Sequence, residues 1–156
     1  MRPTTERVRE AVFSILGDVG GARTLDLYCG TGALGIEALS RGAAEATFVD
    51  SDIALVQRNV DALGLGDRAE VVRSDATKFL DRAPEASFDL VLCDPPYGLV
   101  PRLAGELEPR LGRALAAGGR VMVETAADSA LELELPLLRE RAYGDTLVRV
   151  YEGVAA

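Results

Sequence analysis

The sequence predicts an α/β fold: a doubly wound, mostly parallel sheet that ends in an antiparallel hairpin. Three observations predict it. Short strand-like runs alternate with helical periodicities along the whole 156-residue chain, the loops between them are short, and acids and glycines gather just after the runs that read as strands. Alternation of this kind means parallel strands joined by right-handed helical crossovers and covered on both faces. Ligands in such sheets lie beyond the carboxyl ends of the strands, where the strand order reverses.

The first element is a helix over residues 5–16, TERVREAVFSIL, which places Val8, Val12, Ile15 and Leu16 at helical spacing. Thr4 or Thr5 is positioned to cap it, and Glu6 suits its first turn. A turn over 18–23 leads into a strand from Thr24 to Tyr28, which ends at a glycine loop. The next helix turns Leu34, Ala38 and Leu39 inward and stops at Gly42. Ala46 to Val49 is the second strand, ending in Asp50, and a helix from Ile53 to Leu63 is closed by Gly64. The third strand is Ala69 to Arg73, followed by one or two helical turns from Ala76 to Leu80. Phe88 to Cys93, FDLVLC, is apolar enough to be covered on both faces, as a central parallel strand is. Leu99 to Ala117 reads as helix, with Pro101 in its first turn and Pro109 expected to bend or divide it. Arg120 to Glu124 is the fifth strand. The tail, LLRERAYGDTLVRVYE, carries two alternating stretches about Gly144-Asp145, the pattern of a hairpin.

A chain of 156 residues suits one domain, expected to span 1–156. With 48% hydrophobic and 27% charged residues, its composition is that of a soluble globular protein. The lack of histidine excludes Ser-His-Asp and Cys-His catalysis, a histidine base and histidine metal sites. Two cysteines make neither a zinc cage nor a disulfide framework, and they point to a reducing compartment. No apolar run approaches a membrane span and no signal peptide opens the chain, so the expected location is the cytoplasm, with no membrane and no metal as partner. The net charge of −8 argues mildly against a nucleic-acid partner, because phosphate contacts dominate such binding. Only the charge of one face decides that question, however.

The segment Asp26-Leu-Tyr-Cys-Gly-Thr-Gly-Ala-Leu-Gly35 follows the first strand, and Gly30, Gly32 and Gly35 match GxGxxG. Alone this is weak: it fits a nicotinamide or flavin site, or a tight turn with no ligand. Asp50 ends the second strand 18 residues beyond Gly32, where a carboxylate can accept both ribose hydroxyl protons. Asp75 follows the third strand and can accept from an adenine amino group, while a nearby backbone N–H, as at Ala76, reads the ring. Either acid alone reads as a solvated loop residue; together, each at a strand end, they describe an adenosine site. Asp26 adds a carboxylate near the loop that suits an ammonium better than a pyrophosphate, which favours S-adenosylmethionine over NAD. The most specific feature is Asp94-Pro-Pro-Tyr97 after the fourth strand. Asp94 and the Pro95 carbonyl can each accept one hydrogen bond from the same amino group, which aims the nitrogen lone pair by positioning alone. Tyr97 offers a face for a planar base, worth roughly 1–3 kcal/mol if one stacks there.

These residues resemble the class I, seven-stranded S-adenosylmethionine-dependent methyltransferases of the amino-methylating type, which implies a Rossmann-like fold. More narrowly, RPTTERVREAVFSIL, LDLYCGTGALGIEALSRGA, DPPY and YGDTLVRVYE together resemble the bacterial 16S ribosomal RNA guanine-N2 methyltransferase family, over essentially the whole chain. The resemblance implies methyl transfer from S-adenosylmethionine to the exocyclic N2 of a guanine in 16S ribosomal RNA, free or within a small-subunit assembly particle, by a monomer. Family members usually begin some two dozen residues earlier with a basic hairpin, whereas here Met1 directly precedes RPTTERVRE; the start is trimmed or the arm is lacking, and this bears on RNA grip. The same DPPY logic fits DNA adenine-N6 or a protein glutamine amide, and a cofactor-holding subunit serving a partner is a third reading.

Arg2 and Arg7 are candidates to touch RNA phosphate, Arg9 less so, and Glu6 and Glu10 can equally pair with them along the helix. Arg102, Arg110 and Arg113 share a helical stripe with Glu106 and read as a salt-bridged solvated face. Cys29 and Cys93 end strands expected to be neighbours, so their side chains could lie close together, yet nothing basic flanks either thiol and both read as core. Tyr143 and Tyr151 are assigned to hairpin packing.

Overall fold

The structure, a computed structural model, describes residues 6–96, 100–128 and 131–153, the side chains of Val100 and Pro101 excepted. Arg2, Thr4, Thr5, Tyr97 and Leu99, all named above, lie outside the described residues. The elements in chain order are α1 (Glu6–Leu16), β1 (Arg23–Leu27), α2 (Ala33–Ser40), β2 (Glu45–Asp50), α3 (Ala54–Ala62), β3 (Ala69–Arg73), α4 (Ala76–Arg82), β4 (Phe88–Cys93), α5 (Val100–Ala114), β5 (Leu115–Ala126), β6 (Leu137–Tyr143) and β7 (Thr146–Glu152).

The strands form one seven-stranded sheet in the order β3-β2-β1-β4-β5-β7-β6. Strands β1 to β5 are parallel, and β7 runs antiparallel to both β5 and β6. From β1 the chain builds outward through β2 to β3, then crosses back and lays β4 on the other side of β1. The strand order therefore reverses between β1 and β4, and sheets of this build hold their ligands in the crevice beyond the carboxyl ends at such a point.

Alternation along β4 sends Leu90 and Leu92 to one face and Val91 and Cys93 to the other. On the first face Val12, Phe13, Leu34, Leu39, Val56 and Val60 bring in α1, α2 and α3. On the second, Leu80, Leu103, Leu107 and Leu111 bring in α4 and α5. Helices α1 and α2 descend side by side: Arg9 pairs with Glu37 at 3.3 Å, and one turn lower Arg41 lies 5.1 Å over the Phe13 ring. Because α2 leaves the loop after β1, the first turn of α1, with exposed Arg7, stands at the same edge of the sheet.

Several expectations change. Helix α5 continues through Pro109 undivided. The ring removes the bond to the Gly105 carbonyl, but Leu103, Leu107 and Leu111 keep one buried stripe on both sides of it. The helix stops at Ala114 because Leu115 pairs with Phe88 as the start of β5; residues 116–119 then bulge opposite Asp89, with Gly118 at φ 75°. Cys29 and Cys93 do not meet, since they belong to cores on opposite faces; burial raises both thiols well above their usual range, as befits core residues. Arg9 pairs across to α2 and not with Glu6 or Glu10. Arg110 pairs with Asp81 at 2.8 Å and donates to the Glu106 carbonyl, and Arg113 donates to the Leu80 carbonyl. That stripe fastens α5 to α4 and does not engage the Glu106 carboxylate. Tyr151 is buried in β7, where its hydroxyl donates to the Leu131 carbonyl, and half-buried Tyr143 packs on the core at the end of β6.

Candidate active site

The loop after β1 makes its turn with backbone that side chains resist. Gly30 and Gly32 take φ 55° and 83°, the left-handed region that glycine enters freely. Gly32 N–H donates to the Cys29 carbonyl at 2.8 Å, and Ile36 N–H to the Gly32 carbonyl at 2.9 Å, which starts α2. Space matters as much as φ. A Cβ on Gly32 would stand 2.6 Å from Val56 Cγ2, and one on Gly35 2.4 Å from Phe48 Cε1. Glycine at these positions lets α2 press onto β2 and α3 and holds the loop at the crevice floor.

Three side chains fix the loop from different directions. Asp50, half-buried at the end of β2, accepts from Gly30 N–H at 2.9 Å through Oδ2 and from Asp52 N–H at 3.2 Å through Oδ1. Asn59, on α3, donates from Nδ2 to the Thr31 carbonyl at 2.9 Å. Asp26, only 1% exposed, accepts from Gly35 N–H at 2.9 Å. Burial pushes its carboxyl well above the usual carboxylate range, and the nearby charges of Asp94 and Asp50 push the same way. Asp26 thus props the loop from beneath, buried at its base.

Asp75 caps α4: Oδ1 accepts from Thr77 N–H at 2.9 Å, Lys78 N–H at 3.2 Å and the Thr77 hydroxyl at 2.5 Å. The Thr77 hydroxyl, followed by the two N–H groups, holds this carboxyl below its usual range, so it stays ionised at neutral pH. Ala76 follows as the first residue of α4, where a backbone N–H has no partner inside the helix. Across the switch point, Leu27 of β1 is level with Cys93 of β4, so Asp94 stands beside the start of the glycine loop. Asp94 is half-buried, Pro95 buried and Pro96 exposed. The structure therefore brings Asp26, Gly30, Gly32, Asp50, Asp75, Ala76, Asp94 and Pro95 to one edge of four adjacent strands.

Sequence reading missed two residues here. Asn59 lies 28 residues from the carbonyl it holds, and nothing in its local pattern signals that contact. Tyr28, assigned to the strand, instead adopts φ 56° just beyond β1, a conformation that costs a non-glycine residue roughly 1–2 kcal/mol. Its half-buried ring packs on the α4–α5 side, where burial, with help from Cys93 and Asp75, raises its phenol well above the ordinary range. Strain of this kind gathers at functional sites.

Architecture and switch point together define a Rossmann-like fold of the class I S-adenosylmethionine-dependent methyltransferases; an RNA methyltransferase from Salinibacter ruber, solved with S-adenosyl-L-homocysteine, superposes over 99% of this chain and 95% of its own at a TM-score of 0.79 and 19% identity. A conserved hypothetical protein from Streptococcus pyogenes superposes at a TM-score of 0.83 with 32% identity, over 94% of this chain and 95% of that one. The model of the family described as Conserved hypothetical protein 95 matches residues 1–152, and the chain belongs to that family. Ribosomal RNA small subunit methyltransferase D of Escherichia coli (strain K12) is 37% identical over 161 residues, covering 97% of this chain and 79% of that protein. The match to YlbH of Bacillus subtilis (strain 168) is 45% identical but spans only 62% of this chain and 55% of that protein.

Proposed function

We propose that the protein transfers a methyl group from S-adenosyl-L-methionine to the exocyclic N2 of a guanine in 16S ribosomal RNA. The observation that carries the reading is the alignment of Asp50, Asp75 and Asp94 at the carboxyl ends of β2, β3 and β4, around a glycine loop fixed by Asp50 and Asn59. The E. coli relative named as a small-subunit ribosomal RNA methyltransferase supports the substrate class. The donor set also fits. Between Asp26 and Gly35 the loop carries no basic side chain, while the charges of Asp50 and Asp94 both bear on its base at Asp26, which suits a cationic ligand and repels a pyrophosphate.

When bound, the donor supplies a methyl group already activated on a sulfonium. Asp50 is placed for the ribose hydroxyls; Asp75 and the Ala76 N–H are placed for the adenine edge. On the other side of the crevice, Asp94 and the Pro95 carbonyl each accept a hydrogen bond from the substrate amine and aim its lone pair. With the donor bound, the Asp94 carboxylate would stabilise the positive charge gathering on the amine nitrogen as it takes the methyl group, until the extra proton passes to water. Tyr97 is assigned the stacking face, and Arg2 and Arg7 the flanking phosphates. No histidine base is required, in keeping with the composition. The test is calorimetry: Asp50→Ala should weaken donor binding by about ten-fold or more, roughly 1.4 kcal/mol, and unchanged affinity would remove Asp50 from the site.

A further inference from the structure

Eight of the sixteen arginines in this acidic chain are consumed by the fold. Arg9 and Arg41 pair with Glu37, Arg23 with Asp89, Arg110 with Asp81 and Arg149 with Glu140. Arg68, Arg113 and Arg120 donate to main-chain carbonyls. Like Arg7, Arg58, Arg102, Arg139 and Arg141, the three cations Arg73, Lys78 and Arg82 are exposed, and no carboxylate among the described residues lies within ion-pair distance of them.

They also share one place. Arg73 ends β3, the edge strand, level with Asp50 of β2. Arg82 reaches back along α4 to donate to the Ser74 hydroxyl at 3.3 Å. Lys78, the chain's one lysine, stands close enough to Asp75 to help hold that carboxyl ionised. Three cations thus stand about the carboxyl end of β3 in a chain of net charge −8, Arg73 on the face of Val71 and Lys78 and Arg82 on α4 across the other face. Asp75 offsets part of that charge, with its Oδ1 committed to the α4 cap.

We infer that Arg73, Lys78 and Arg82 form a second phosphate-binding rim that grips the backbone of the RNA substrate on the flank away from α1. The inference rests on the RNA reading above and extends it. From β3 to β4 is three strand spacings, ~14 Å, so a strand whose target base enters at Asp94 can reach this rim within a short run of nucleotides. Arg7 would hold the other side, and the acidic crevice between the two rims repels phosphate and admits only the base. Contacts of this kind fix register without reading sequence.

The test is the salt dependence of binding to an in vitro transcript of 16S ribosomal RNA. Each phosphate neutralised contributes about 0.7–0.9 to the slope of log affinity against log salt. The variant R73Q/K78Q/R82Q should flatten that slope by about 2, with donor affinity unchanged by calorimetry. R102Q/R139Q/R141Q, which removes equal exposed charge elsewhere, should flatten it by less than half as much. Lys78→Gln alone, a change to an exposed side chain, should flatten it by about 0.7–0.9 and guards against a folding defect in the triple variant. A rim variant with the wild-type slope, or equal losses in the rim and control variants, overturns the proposal. Failure of the wild-type chain to bind or methylate the transcript instead overturns the RNA reading itself.

Discussion

Strands β4 and β6 lie in one sheet and meet solvent in opposite ways. In β4 all but Asp89 are buried; in β6 all but Tyr143 are exposed, with Leu137 and Leu138 near half exposure. The difference follows from position. A parallel strand at the switch point is covered by helices on both faces and must be apolar throughout, whereas β6 closes the antiparallel end and pairs with β7 alone. The parallel half therefore has little freedom in sequence or backbone, and its strand ends can be held to the tolerances chemistry requires. The hairpin end completes the sheet and shields β5.

Substitutions should separate the two halves by size of effect. Asp94→Ala is expected to lower methyl transfer about 100-fold or more, on the scale of losing one positioned electrostatic contact, while donor affinity stays within a few-fold; equal loss of both would move Asp94 into the donor's site. Gly35→Ala forces a Cβ to 2.4 Å from Phe48 Cε1 and should destabilise by about 1–3 kcal/mol in urea titration. Gly66→Ala meets nothing within 4 Å and should stay within about 0.5 kcal/mol. Asn59→Ala removes one bond to the loop, worth about 1 kcal/mol, and should weaken donor binding roughly five-fold; no change in affinity would mean the loop holds itself. At the bottom of the scale, Leu138→Ser on β6 should shift stability by less than about 0.5 kcal/mol, and a core-sized loss would break the contrast between the two halves.

Asp26 gives a prediction in pH. Its folded-state carboxyl is raised, so as pH climbs from about 4 the unfolded chain releases this proton before the folded one does, and stability falls with rising pH. Asp26→Asn keeps an acceptor for Gly35 N–H and cannot ionise. Its stability relative to the parent should improve steadily between acid and neutral pH, and a gap that stays constant or narrows would contradict the buried, raised carboxyl.

The parts of the fold legible in the sequence are those whose limits are set by local chemistry. Strands β3 and β4 begin and end where the residues place them, because apolar or β-branched runs stop at Ser74-Asp75 and Asp94-Pro95. The end of α5 was not legible: alanines and a leucine at 114–117 favour helix locally, and only the pairing of Leu115 with Phe88 turns them into strand. The same division holds at the site. The shared position of Asp50, Asp75 and Asp94 at one edge of the sheet was legible because each follows directly from where an apolar or β-branched run stops. The depth of Asp26, the reach of Asn59 and the φ of Tyr28 depend on contacts between distant segments, and no local pattern encodes them.

The most direct test is to incubate the protein with methyl-labelled S-adenosylmethionine and undermethylated 16S ribosomal RNA, then digest the RNA and identify the labelled nucleoside. Label in N2-methylguanosine, lost in Asp94→Ala while donor binding persists, is the predicted result. Label in any other nucleoside, or none in RNA while the donor binds, would contradict it.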